Sequence, residues 1–248
     1  MLTLGFWNQV SKYPKATLAS YTSIIECEPN SPIFWSVDGN CSHNYNPNDY
    51  GDDIEWLFNK ENLGYPPYNK NKVLEFLKRM YIGVLKLNTD YVCLFEDDCL
   101  ILNSIAVNPM WEIAGHNITH GNKIPNSILD NTRLFSGRTP ITDYYGAGGG
   151  TIFKSSTFIK KYSKITQYIE EYWHLYERDY YPQCGYLDCF LTIYFMLCGK
   201  DYTPNKKLYN LDPHDPTEQF LIKNSFHKNL ANSYKKDYDI IHGTKLYY

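Results

Sequence analysis

Tyr91-Val92-Cys93-Leu94-Phe95-Glu96-Asp97-Asp98-Cys99-Leu100 decides the reading of this chain. An apolar, β-rich run stops abruptly at three consecutive carboxylates. A buried strand that delivers acids at its carboxyl end is a common way to hold a hard divalent cation. Mg²⁺ and similar ions take carboxylate oxygens at about 2.0–2.1 Å and keep positions open for substrate phosphates. Three adjacent carboxylates repel one another, and a bound cation relieves that repulsion. A solvated acidic turn is the alternative that this segment alone leaves open.

Upstream, Lys72 to Leu87 carries apolar residues at 73, 74, 77, 80, 81, 84, 85 and 87, close to a 3.6-residue period, and predicts a helix feeding the 91–95 strand. Leu2–Trp7 and Ile33–Val37 read as buried strands, with a helix from Lys15 to Ile25 opened by Pro14. Residues 39–52 are a polar loop, and Ile54–Asn59 is expected to be a short helix. Alternating strands and helices predict an α/β fold with a parallel, doubly wound sheet. Ligands of such sheets bind beyond the carboxyl ends of the strands. Asp38 and the 96–98 acids both follow predicted strands, so one crevice would receive both.

The second half is less regular. Residues 115–145 are rich in Asn, Gly, Thr and Pro and read as a long loop region. Gly148, Gly149 and Gly150 then run into Thr151-Ile152-Phe153, which suggests a strand whose start passes close to a ligand or another backbone. A plain turn is the other reading. No Gly-Lys-Ser/Thr ending follows, so this is not a phosphate-binding P-loop. Residues 156–177 and Tyr186–Leu197 look helical, the second carrying Asp188 in its first turn. No internal repeat or linker is evident. One domain is expected, with residues 1–103 binding a donor and 104–248 forming the acceptor side and the tail.

The formal net charge is −3 at pH 7, so no strong basic field exists for nucleic acid. The chain has 24 Tyr, and tyrosine stacks well on sugars and bases, although the richness in Lys, Asn, Tyr and Ile is also what an AT-rich genome produces. The seven cysteines include no CxxC pair, which argues against zinc. No signal-peptide pattern and no apolar run of about 20 residues stands out. A cytoplasmic protein with free thiols and no membrane span is the expectation. The aromatic surface allows a homodimer without requiring one.

Taken in order, the first strand, Asp38 after the second, the helix leading through Gly83 to Asp90-Tyr91 and the Glu96-Asp97-Asp98 acids resemble the GT-A nucleotide-sugar glycosyltransferases, particularly the family-2-like group. The resemblance covers roughly residues 2–200. The acids stand in place of the family's DxD motif, and residues 146–153 are similar to its acceptor-side strand. The chain departs from the pattern where Gly39-Asn40 follows Asp38, where the family's Ala-Arg-Asn is missing and Arg79 lies out of register, and where Leu187 precedes Asp188.

The resemblance implies transfer of a sugar from a nucleoside diphosphate, with a UDP-sugar as the expected donor, to a hydroxyl of a carbohydrate or glycoprotein acceptor. It implies Mn²⁺ or Mg²⁺ held by Asp98 directly and by Asp97 through water or the sugar, with Glu96 on the loop or the ribose. His242 would add a ligand from a C-terminal strand, with His214 and His227 as rivals, and an imidazole would favour Mn²⁺. Lys245 would meet the diphosphate. Asp38 would accept from the nucleobase or merely form a turn. Phe6 or Trp7 would stack on the base or pack in the core. Arg79, Gly148 and Gly149 complete the donor side. Asp188 would be the general base of an inverting reaction, or only an acid at a helix start; a retaining reaction stays open. A nucleotidyltransferase and a non-catalytic carbohydrate- or nucleotide-binding module are the rival readings.

Overall fold

The computed structural model describes residues 2–10, 13–63, 69–116, 124–137, 148–179, 202–211 and 232–243. Among these residues seven strands form the main sheet, in the order β3-β2-β1-β4-β7-β6-β8. They are β1 (Leu4–Val10), β2 (Ile33–Val37), β3 (Ile54–Phe58), β4 (Tyr91–Leu94), β6 (Ile113–Gly115), β7 (Thr151–Lys154) and β8 (Tyr202–Pro204). Pairing is parallel except at β7, which runs antiparallel to both β4 and β6. A second sheet has the order β5-β10-β9, from β5 (Cys99–Ile101), β9 (Leu208–Asn210) and β10 (Ile240–His242). The fold is thus α/β, a mostly parallel mixed sheet flanked by helices.

Helix α2 (Lys70–Leu87) starts where the Asn69 side chain accepts the Lys72 amide, and ends at Asn88, whose left-handed φ of 49° suits asparagine. Its buried stripe includes Val73, Phe76, Leu77, Met80, Val84 and Leu87. Each large apolar side chain fully buried there contributes about 1.5–3 kcal/mol. Gly83 lets the helix approach the sheet: a Cβ at that position would lie 2.2 Å from Trp7 Cδ1. On the opposite face lies α1 (Pro14–Cys27), whose buried residues include a polar stripe, Thr17, Ser20 and Ser23. That stripe grips the second sheet. Ser20 Oγ donates to Cys99 O at 2.7 Å, and Ser23 Oγ accepts the Ile101 amide at 3.0 Å.

Three expectations change here. Ile54–Phe58 is a strand, not a helix: it pairs in parallel with Ile33–Val37 at the sheet edge, and its Ile, Trp and Phe suit a pleated surface. A short apolar run fits either element until a partner strand decides. Within 115–145, residues Asn126–Ser136 form a helix, α3, closed by Gly137 at φ 70°. Its Ile128 and Thr132 are buried one turn apart, a narrow stripe hidden by polar neighbours. The first strand runs on to Val10, which moves Phe6 and Trp7 to mid-sheet. The last described helix, α4 (Ser155–Asp179), follows β7 directly and packs on α2 and α3. The expected helix at Tyr186–Leu197 lies outside the described residues. Among the described residues no helix is long and apolar enough to cross a membrane.

Candidate metal centre

The strand order places β2 and β3 on one side of β1 and β4 on the other. Such a reversal opens a crevice at the carboxyl ends of the strands. The acids stand there. The Phe95 amide still bonds to Trp7 O across the β1–β4 ladder, after which the chain turns, with the Cys99 amide bonded to Glu96 O at 3.0 Å. The turn sends the chain out of the main sheet into β5. There Cys99 pairs directly with His242 of the antiparallel strand β10, and the Gly243 amide bonds to Asp98 O. Residues 143 positions apart in sequence are therefore cross-strand neighbours.

His242 Nε2 lies 3.4 Å from Asp98 Oδ1 and 3.9 Å from Glu96 Oε2. The Asp98 carboxylate, the Cys99 thiol and the His242 imidazole each offer a ligand atom, all within 4.8 Å of one another. Two ligands of one cation at about 2.1 Å stand roughly 3–3.5 Å apart, so the Asp98–His242 pair already has the spacing that a shared ion requires. Burial pulls the His242 imidazole down, but the Asp98 and Glu96 carboxylates outweigh it and hold its pKa well above the usual value. The site thus favours positive charge between these acids, whether a proton or a metal supplies it.

Gly149 covers this centre. The Gly150 amide bonds to Leu94 O at 2.7 Å, which fixes the glycines over the end of β4. A Cβ on Gly149 would lie 2.7 Å from both Cys99 Sγ and His242 Cδ2. The glycines are thus where a strand must pass close to other side chains, as their sequence suggests. His116, at the end of β6, closes the side. Its Nε2 is 2.9 Å from Gly149 O, and its ring centroid is 5.2 Å from that of His242. Burial, and then the His242 charge, push its pKa down to about 3, so it is a neutral imidazole. No spacing in the sequence ties His116 to the acids; only the β6–β7 pairing brings it there.

The other expected residues divide. Asp97 is buried, and its charge adds to burial in raising the Tyr45 phenol, whose hydroxyl is 3.1 Å from Thr17 Oγ1. Asp38 is held by Arg79 Nη1 at 2.7 Å, by the Leu63 amide at 3.0 Å and by Gln9 Nε2 at 3.3 Å. Arg79 is itself 1% exposed, and it also donates to Glu75 and Glu61 O. It orients Asp38 from beneath the crevice rather than reaching into it. Phe6 and Trp7 are core residues, not a stacking surface. Both are 0% exposed, Phe6 edge-on to Phe95 and Trp7 edge-on to Phe76. Asp188, Lys245, His214 and His227 lie outside the described residues.

Asn8, beside this turn on β1, buries both its amide nitrogen and its amide oxygen without a hydrogen-bond partner among the described residues. Such groups are rare in folded proteins and call for a specific explanation. No protein-family model matches the chain, and no curated protein matches its sequence.

Proposed function

We propose that this chain is a metal-dependent glycosyltransferase on a GT-A-like fold, moving a sugar from a nucleoside diphosphate to an acceptor hydroxyl. The observation that carries the reading is the Asp98–His242 pair, 3.4 Å apart, at the carboxyl end of β4 where the strand order reverses. A divalent cation bound there would neutralise the charge that develops on the diphosphate leaving group. Asp98 and His242 are the direct ligands, Glu96 stands beside them, and Asp97 lies one residue from the centre. Asp38, fixed by Arg79, is the proposed contact to the nucleobase. The chain lacks the basic field of a nucleic-acid binder, and a UDP-sugar remains the proposed donor. The acceptor is a carbohydrate or glycoprotein hydroxyl. Asp188 is the proposed general base, which makes the reaction inverting, and Lys245 the proposed diphosphate contact.

The test is release of nucleoside diphosphate from a panel of nucleotide sugars with Mn²⁺ or Mg²⁺ and with EDTA. The proposal expects slow release from one nucleotide class, abolished by EDTA and by Asp98→Ala. Donor binding with no release would make the chain a binding module.

A further inference from the structure

The pairing of β5 with β10 adds a residue that the metal reading did not include. Cys99 is the direct cross-strand partner of His242, on the same face of the small sheet. Its thiol is 0% exposed, and it shares with His242 the space left by the missing side chain of Gly149. A cysteine there has a packing explanation, as a small apolar residue. Packing alone does not account for a sulfur within 4.8 Å of both a carboxylate oxygen and an imidazole nitrogen.

We propose that Cys99 is a third protein ligand, making Asp98, Cys99 and His242 a mixed oxygen, sulfur and nitrogen site that selects Zn²⁺, Co²⁺ or Fe²⁺ over Mg²⁺. The inference rests on Asp98 and His242 being metal ligands, and it does not depend on the identity of the donor. Sulfur is a soft donor and imidazole a borderline one, and both favour later first-row ions. Three protein ligands also leave a coordination position open, the arrangement of catalytic rather than structural zinc sites. Coordination requires the thiolate, so the Cys99 proton leaves to solvent as the metal–sulfur bond forms. A metal–sulfur bond of about 2.3 Å would hold the thiol beside His242 and Asp98. The Gly149 position has no side chain to fill that space.

Cys93 supplies the control. It is also a free, fully buried thiol, three residues before Glu96, but among the described residues it belongs to no such cluster. The experiment titrates the metal-free protein with Co²⁺ and records its absorption spectrum. The expected result is a sulfur-to-cobalt charge-transfer band in the near ultraviolet, lost in Cys99→Ser and kept in Cys93→Ser. Cobalt affinity in Cys99→Ser should fall by at least the roughly 10–100-fold that loss of a supporting partner costs. Zn²⁺ should displace Co²⁺, and Mg²⁺ should not. Co²⁺ binding without the band overturns the role of Cys99 and leaves the Asp98–His242 site standing. No Co²⁺ binding at all overturns both. The wild-type band is read directly, so the test survives if the Cys99 variant fails to fold.

Discussion

The His242 imidazole shapes how the site responds to pH. Its folded-state pKa lies above the ordinary histidine value, so in the metal-free protein its pairing with Asp98 and Glu96 stabilises the fold fully below about pH 6.5. That contribution is lost as pH rises through the raised value. Metal binding runs the other way, because the cation must displace the same proton. The increment in melting temperature produced by Mn²⁺ should therefore grow from pH 6 to pH 9, and His242→Ala should reduce the growth to the share that comes from release of the Cys99 proton. An increment that is flat with pH would show that His242 is not a ligand. A second residue-scale prediction concerns Arg79. Removing it strands the Asp38 carboxylate in a buried site, at a cost of about 3–5 kcal/mol. Urea unfolding of Arg79→Ala should show that loss; a change below about 1 kcal/mol would mean that the pair behaves as a surface ion pair. Asp98, Asp97 and Glu96 were readable because three carboxylates after an apolar run are visible in one line of sequence. Cys99 and His116 were not, since their proximity to His242 comes from strand pairing that no local pattern encodes.

At the scale of elements, two glycines separate packing from chemistry. Gly83 brings α2 against β1, and Gly149 brings the turn before β7 against the centre. Both positions would force a new Cβ into contact, at 2.2 Å from Trp7 and 2.7 Å from Cys99 and His242. Gly83→Ala should destabilise the fold by about 1–3 kcal/mol through overpacking while leaving metal affinity unchanged. Gly149→Ala should weaken metal binding more than it lowers stability, as compared by calorimetry and urea unfolding. The reverse pattern would place the centre elsewhere. Helix α2 was legible because its eighteen residues carry many repeats of one apolar period. The strand β3 is not legible in the same way because five residues at a sheet edge carry too few, and its pairing with β2 supplies the missing information. Helix α3 carries a loop-like pattern for a related reason: only two of its eleven residues are buried.

For the molecule as a whole, the alternation of strands and helices up to β4 points to a parallel sheet, and β2, β1 and β4 pair in parallel as it implies. What alternation did not reveal is the antiparallel β7 or the small sheet that carries His242, both built from strands of three or four residues. The molecule's two halves meet at that small sheet, where β5 follows the acids and β10 comes from the tail. The function proposed here depends on that meeting, so the decisive measurement is a thermal-shift panel of UDP-, GDP-, dTDP- and CMP-linked sugars, each with and without Mn²⁺, on the wild type and Asp98→Ala. A ligand that binds only the folded state raises the melting temperature by mass action, by about 2.7 kcal/mol of stability at a hundredfold excess over its Kd. The account predicts a shift with one nucleotide class, only when Mn²⁺ is present and only in the wild type. A shift that needs neither metal nor Asp98, or no shift with any donor, would contradict it.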